Sequence, residues 1–394
     1  MTVAFPVPKR VLMTADTVGG VWTYAMELCH ALGAYGIEIV LATMGAPLSR
    51  SQRTEVAALG NIKVSESDYK LEWMSEPWDD VYSAGEWLLR LEDQFQPDVV
   101  HLNNFAHGSL PWRAPKMVVG HSCVLSWWRA TKGCDAPPEW NEYRTRVLEG
   151  LALADFVVAP TNAMLMALEE HYGPFAGSAV IPNGRSISKT RLRSKRNFIL
   201  GAGRLWDEGK NIGALVDCAA DLPWPVCLAG ESRDANSRET RQPQVRYLGH
   251  LSQRRLQAWY ERAAIFAAPA KYEPFGLSIL EAALADCALV LGDIPSLREN
   301  WNGAALFVPP DDLNALEAAL QKLIATPRLR CELSAKARDI ASRLTPKRMG
   351  ESYLLMYSNV LARTHGAASD TAVLARAHTA PGITTTWKGT SCAL

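Results

Sequence analysis

The 394-residue chain balances 41 Lys and Arg against 41 Asp and Glu, so no overall field draws nucleic acid or an acidic membrane to it. Any charged ligand must be held by local groups. With 48% hydrophobic residues and a length beyond what one core usually serves, the chain is expected to fold as two domains of roughly 150 to 200 residues with a cleft between them.

The first short apolar run is RVLMTAD, residues 10–16, and Gly19 and Gly20 follow it. Val21, Ala25, Leu28 and Leu32 then share one helical face that ends at a glycine, and residues 37–43 (IEIVLAT) form the next strand. Strand, glycine turn, helix and strand in that order open a parallel sheet with helices on its faces. Further strands are predicted at 98–104, 116–122 and 155–161, each beside a helical pattern. Residues 1–184 are therefore expected to make one α/β domain.

The stretch IPNGRSISKTRLRSKRN has turn formers, six basic residues between 185 and 196 and no apolar periodicity, which reads as a linker. The cycle restarts with strands predicted at 198–204, 224–230, 245–251, 264–270 and 288–293, giving a second parallel α/β domain over 185–344. A helix within 345–364 closes the ordered part. From 365 to 394 the chain turns to Ala, Thr, Ser and Gly, and a loosely held tail is expected.

The eight cysteines show no Cys-x-x-Cys and no metal-ligand spacing, and they read as reduced, mostly buried residues of a cytoplasmic protein. The stretch MTVAFPVPKRVLMTAD lacks a basic region before a long apolar run, and no apolar stretch reaches the about 18 residues of a spanning helix. Neither secretion nor membrane crossing is expected.

Four stretches carry the chemistry. In AIFAAPAKYEPFGLSILEAALA a strand ends near Pro269, a loop runs through Glu273, and a helix starts near Gly276, where glycine admits a ligand close to the main chain. Amides at such a helix start point toward an anion. Glu273 and Glu281 flank that place, and two carboxylates cannot both serve an anion; they suit acceptance from hydroxyl pairs, as in a phosphate between two sugars. Chance spacing and the helix dipole also place glutamates there.

In GAGRLWDEGKNIGAL, Arg204 and Lys210 follow a strand end on a turn, suited to holding a diphosphate and stabilising it as it departs. Trp206 stands where a dinucleotide fingerprint would have its third glycine. Two exposed loop cations would look the same. Gly19 and Gly20 allow backbone approach to a phosphate or sugar, or merely form a turn. His121, ending MVVGHS, is a strand-end histidine of structural or catalytic use.

Together these stretches, with DTVGGVWTYAMELCHAL, VVGHS, VIPNG, GRLWDEGKN, YEPFGLSILEA and GAALFVPPDD over positions 16–312, resemble the retaining family 4 of nucleotide-sugar glycosyltransferases. The resemblance implies the GT-B fold, an α/β architecture of two facing Rossmann-like domains, with the helix within 345–364 crossing back to the first. It also implies that Glu273 contacts hydroxyls of the donor sugar, Glu281 the ribose diol, and Arg204 and Lys210 the diphosphate. Amides of Phe275, Gly276 and Leu277 would touch sugar and phosphate. Gly20, with Gly19 before it, would approach the donor from the first domain, and His121 would sit beside the sugar.

Two departures stand out. Asn183-Gly184 leads into Arg185 and Ser186 rather than an aliphatic residue and Asp, and the Arg204-to-Lys210 interval is six, one longer than in many members. The expected reaction is hexose transfer from a nucleoside diphosphate sugar with retained configuration, to a glycan, lipid or small-molecule acceptor. No Asp-x-Asp occurs, so neither metal nor other cofactor is expected. An epimerase or a glycan phosphorylase on the same fold, or a binding protein without turnover, are the alternatives. Trp73, Trp78, Trp87, Trp127, Trp128 and Trp140 are read mostly as core and rim residues. Basic helix faces leave peripheral membrane contact open.

Overall fold

Short runs of β-branched and apolar residues alternate with amphipathic helices from Arg10 to Arg343, and each run pairs with its neighbours as a parallel strand. The computed structural model describes residues 6–186, 194–231, 243–364 and 385–386. Two units emerge: one holds the chain up to Ser126, Asp135–Gly184 and the chain from Pro346 on, the other Trp127–Cys134 and Arg185–Thr345.

In the first unit, β1 (Arg10–Asp16), β2 (Glu38–Met44), β3 (Ile62–Glu66), β4 (Val99–Leu102), β5 (Lys116–Val119), β6 (Phe156–Ala159) and β7 (Ser178–Val180) are laid side by side as β7-β6-β5-β4-β1-β2-β3. Helices α1 (Gly20–Gly33), α2 (Arg50–Ala57), α3 (Trp78–Phe95), α5 (Asn141–Ala152) and α6 (Asn162–Tyr172) connect them, and α4 (Val124–Lys132) is divided between the two units after Ser126. Central strands are apolar throughout because helices cover both faces of a parallel sheet; Val11, Leu12 and Met13 of β1 are fully buried. Side-chain caps mark where helices begin. Ser49 and Gln52 form a reciprocal capping box at α2, and Thr161 accepts from the Met164 amide at α6.

In the second unit, β8 (Arg196–Ala202), β9 (Val226–Ala229), β10 (Val245–Gly249), β11 (Ala263–Ala268), β12 (Ala288–Gly292) and β13 (Ala305–Val308) are ordered β10-β9-β8-β11-β12-β13. Helices α7 (Ile212–Asp217), α8 (Gln253–Tyr260), α9 (Leu277–Leu284), α10 (Pro295–Trp301), α11 (Leu313–Ala325) and α12 (Pro327–Arg343) complete it. The last helix, α13 (Pro346–Thr364), belongs to the first unit, where Met349, Tyr353, Met356 and Tyr357 are buried in one core with Tyr24, Leu28 and Leu32. Thr385–Thr386 (β14) pairs antiparallel with β7.

Counted from its own first strand, each sheet reads 3-2-1-4-5-6, with one further parallel strand in the first. In that order the connections reverse direction between β1 and β4, and again between β8 and β11, leaving a crevice outside the strands' carboxyl ends. Loops that follow these four strands are thus the places where each unit can take a ligand.

Two expectations fall partly outside the described residues: the linker at 187–193, and the tail beyond 364 apart from Thr385–Thr386. The segment Trp127–Cys134, expected within the first domain, groups with the second unit, and the return to the first unit falls at Pro346. Strands β3, β7 and β13 were not among the predicted ones.

Close packing positions the second unit's loops. A Cβ added at Gly292, the last residue of β12, would lie 2.1 Å from the Ala270 carbonyl oxygen, inside the loop that carries Glu273. Gly292→Ala is therefore expected to cost about 1–3 kcal/mol through overpacking, read as a lower denaturant midpoint at unchanged slope.

Candidate functional site

The second unit's site begins where β8 ends. Gly203 has φ 151, a conformation that side chains avoid, and it turns the chain so that Arg204 leaves the strand end. Arg204 reaches forward to Asp207, with Nη2 2.7 Å and Nε 3.2 Å from Oδ2. The other Asp207 oxygen accepts from the Gly209 amide at 2.9 Å and from the Trp127 indole at 2.9 Å. Burial alone would raise the Asp207 carboxyl; Arg204, the Trp127 hydrogen bond and Lys210 outweigh it and hold the group below the usual carboxylate range.

Residues Glu208–Lys210 then form a 3₁₀ turn that ends at Asn211, which is left-handed at φ 53. The Gly209 carbonyl accepts the amides of Lys271 at 2.9 Å and Tyr272 at 3.0 Å, joining the loop after β8 to the loop after β11. The Asn211 amide group donates to the carbonyls of Pro269 and Pro310, at 2.9 and 2.8 Å. Beside these bonds Lys210 Nζ lies 2.5 Å from Glu273 Oε2.

Glu273 is buried, and the Ser296 hydroxyl, itself buried on α10, donates to its backbone carbonyl at 2.5 Å. Three residues on, Gly276 adopts φ 89 and starts α9, so Leu277 is the first helical residue. A Cβ at Gly276 would meet Ile279 Cδ1 at 2.7 Å. The first N–H groups of a helix lack intrahelical acceptors and carry the positive end of its dipole. Buried Phe275 anchors the loop just before them. Glu281 follows one turn into α9, where Arg185 Nε at 2.7 Å and Gln253 Nε2 at 2.9 Å both donate to its Oε1. Burial, then the adjacent Glu281 carboxylate, pushes the Tyr260 phenol far up.

The first unit presents Gly19 and Gly20, both exposed, at the start of α1; Gly19 has φ 92, and Asp16 Oδ1 accepts the Val18 amide at 2.6 Å just before them. His121 follows β5. Its Nε2 lies 2.8 Å from Asn103 Oδ1, and its ring meets Tyr24 edge-on at 4.4 Å. Asn103 donates through Nδ2 to the Thr14 carbonyl at 2.6 Å, so its Oδ1 must face the imidazoles as an acceptor. His101 Nε2 lies 3.2 Å from that oxygen, and Tyr357 OH is 2.6 Å from His101 Nδ1. Both histidines therefore carry their proton on Nε2, with Tyr357 donating to His101. Burial pushes His101 and His121 down to about 3, His101 adding to the effect on His121.

Arg204, Lys210, Glu273 and Gly276 thus gather at the ends of β8 and β11, with Glu281 a helical turn further along. Gly19, Gly20 and His121 stand on the first unit. Asp207, Gln253 and Asn103 were not singled out from the sequence; Trp127 was read with the other tryptophans as core or rim, and Arg185 only as a departure after Asn183-Gly184. Of the tryptophans, Trp73, Trp78, Trp87 and Trp140 pack partly buried against the first unit's cores, while Trp127 and Trp128 meet edge-on at 5.8 Å. Among the described residues no group of three or more His, Cys, Asp and Glu is placed to hold a metal ion, and no helix is long and apolar enough to cross a membrane.

Two Rossmann-like parallel-sheet units define the GT-B fold. Sucrose-phosphate synthase from Thermosynechococcus elongatus superposes with a TM-score of 0.73 at 19% identity, over 92% of this chain and 100% of that one. Anabaena HepE in complex with UDP-glucose does so with a TM-score of 0.69 at 16% identity, over 89% and 99%.

The profile described as Glycosyltransferase Family 4 matches residues 18–189, and that described as Glycosyl transferases group 1 matches residues 196–326. Together the two matches support a glycosyltransferase of the family 4 type. O-antigen chain mannosyltransferase B of Escherichia coli is 38% identical over 122 residues, 28% of this chain and 32% of that protein. The chain spans about a third to a half of the length of several curated relatives, 32%, 49% and 50% in three of them.

The histidine network gives a direct check. Since burial lowers both imidazoles from 6.5 to about 3, protonation favours the unfolded chain; their contribution to stability is complete above about pH 6.5 and is lost as pH falls toward 3. Nitrogen-15 NMR of the imidazoles at pH 5 to 7 is expected to find both rings neutral with hydrogen on Nε2. An imidazolium or an Nδ1–H form of His121 at pH 6 would contradict the assignment.

Proposed function

We propose that the chain transfers a hexose from a nucleoside diphosphate sugar to a glycan, lipid or small-molecule acceptor with the anomeric configuration retained. The observation that carries this reading is the convergence of Arg204, Lys210, Glu273 and the start of α9 at the β8/β11 reversal. That HepE was solved with UDP-glucose, and that the Escherichia coli relative is named a mannosyltransferase, support a sugar nucleotide as donor.

In this reading the diphosphate meets the amides of Phe275, Gly276 and Leu277 together with Arg204 and Lys210. Preorganised donors of this kind stabilise charge as it develops on a leaving group, at no reorganisation cost during the reaction. Fixed cations would fill the part that a metal ion plays elsewhere, so the proposal includes no metal and no cofactor. Lys210 is held beside Glu273 before any ligand arrives, and a diphosphate would draw the ammonium toward itself.

Glu273 would then accept from hydroxyls of the donor sugar, and Glu281 from the ribose diol. A carboxylate ion-paired at 2.5 Å is a poor nucleophile, which favours an orienting role for Glu273 over a covalent one. Gly19, Gly20 and His121 on the first unit are assigned to the donor on the family resemblance, with His121 offering its bare Nδ1 as an acceptor. A cytoplasmic setting, with peripheral membrane contact where the acceptor is a lipid, belongs to the same proposal.

A panel of UDP-, GDP-, ADP- and TDP-sugars tests it. One donor should raise the melting temperature by mass action and be turned over with retention when an acceptor is supplied. Glu273→Gln and Lys210→Ala are each expected to lower turnover on the order of 100-fold or more; near-unaltered rates in both would reject the site.

Glu281→Ala is expected to act chiefly on affinity, weakening donor binding roughly 10-fold or more by calorimetry. Unchanged affinity would remove the ribose from Glu281.

A further inference from the structure

Buried carboxylates require compensation, and Glu281 receives it from residues far apart in sequence. Arg185 Nε approaches Oε1 at 2.7 Å, with side chains only 10% and 9% exposed, and Gln253 Nε2 donates to the same oxygen from the first turn of α8. The Arg185 backbone is fixed as well, its amide donating to the Leu344 carbonyl at 3.0 Å. An anchored main chain thus delivers the guanidinium to one side of the carboxylate, and α8 delivers an amide to the same side.

We propose that Arg185 is a positioning residue for the nucleotide end of the donor, holding Glu281 in one orientation. The inference rests on the proposed function, in which Glu281 accepts the ribose diol. A carboxylate has about four acceptor positions on two oxygens, and converging two donors on Oε1 sets the plane of the group. Such a clamp preorganises a hydrogen-bonding group before the ligand arrives, and that improves affinity by removing ordering cost.

Positioning through Glu281 predicts a definite pattern in a double-mutant cycle. The full chain, Arg185→Met, Glu281→Gln and the double variant are titrated by calorimetry with UDP, GDP, ADP and TDP, and turnover is measured with the matching donor. Arg185→Met is expected to weaken the preferred nucleotide roughly 10- to 100-fold, while kcat at saturating donor stays within about threefold. In the Glu281→Gln background the same substitution should change affinity by less than about twofold. Arg185→Lys keeps the charge without the Nε–H and should fall between the two; it replaces Arg185→Met in the cycle if that variant does not fold.

Full-strength weakening by Arg185→Met in the Glu281→Gln background would overturn the inference, because Arg185 would then act on the ligand or the fold independently. So would unchanged affinity in Arg185→Met itself. Failure of the unaltered protein to bind any of the four nucleotides would instead bring down the proposed function, and this inference with it.

Discussion

The Gly209 carbonyl, accepting the amides of both Lys271 and Tyr272, is the bond on which the second unit's site is built. It joins loops that follow two neighbouring strands, β8 and β11, which reach one another only because the sheet order reverses there. The next residue on one side is Lys210, and the next on the other is Glu273. Main-chain hydrogen bonding therefore sets the register in which a cation and a carboxylate meet. An ion pair alone would not do this, since the desolvation of two buried charges offsets much of their attraction.

Around that joint each charged group is held by something less mobile than itself. Arg204 is held by Asp207, and Asp207 by the Gly209 amide and the Trp127 indole. The first unit follows the same logic with neutral groups. Thr14 orients Asn103, which orients His121 and His101, and Tyr357 of α13 completes the set. The closing helix thus contributes more than apolar packing, because its phenol hydrogen-bonds a buried imidazole whose tautomer Asn103 sets.

How much of this was legible in the sequence depended on the range of the contacts. Strands β1, β2, β8, β11 and β12 are apolar runs because both faces are covered, and such runs are visible without neighbours. Strand β3 (IKVSE) lies at a sheet edge and is half polar, β7 is three residues long, and β13 hides in a Gly-Ala-rich stretch that ends in Pro-Pro; none of them carries a distinct local period. The loop-to-helix geometry of Glu273, Gly276 and Glu281 could be read because it spans nine residues of one strand–loop–helix turn. Trp127 with Asp207, Lys210 with Glu273, and Arg185 with Glu281 are 80, 63 and 96 positions apart, distances at which spacing carries no signal. The six-residue step from Arg204 to Lys210 contains the 3₁₀ turn of Glu208–Lys210, which the spacing alone did not suggest.

The pairing of acids and bases in the second unit has a kinetic side. Arg185, Arg204 and Lys210 are matched by Glu281, Asp207 and Glu273, so the site is close to electrically neutral within a chain whose formal charge is also zero. Such a surface casts little potential into solvent. On the proposed function, an anionic donor would arrive by unassisted diffusion, at a rate that ionic strength scarcely alters, and would be recognised only on contact, when Arg204 and Lys210 turn from their carboxylate partners toward it.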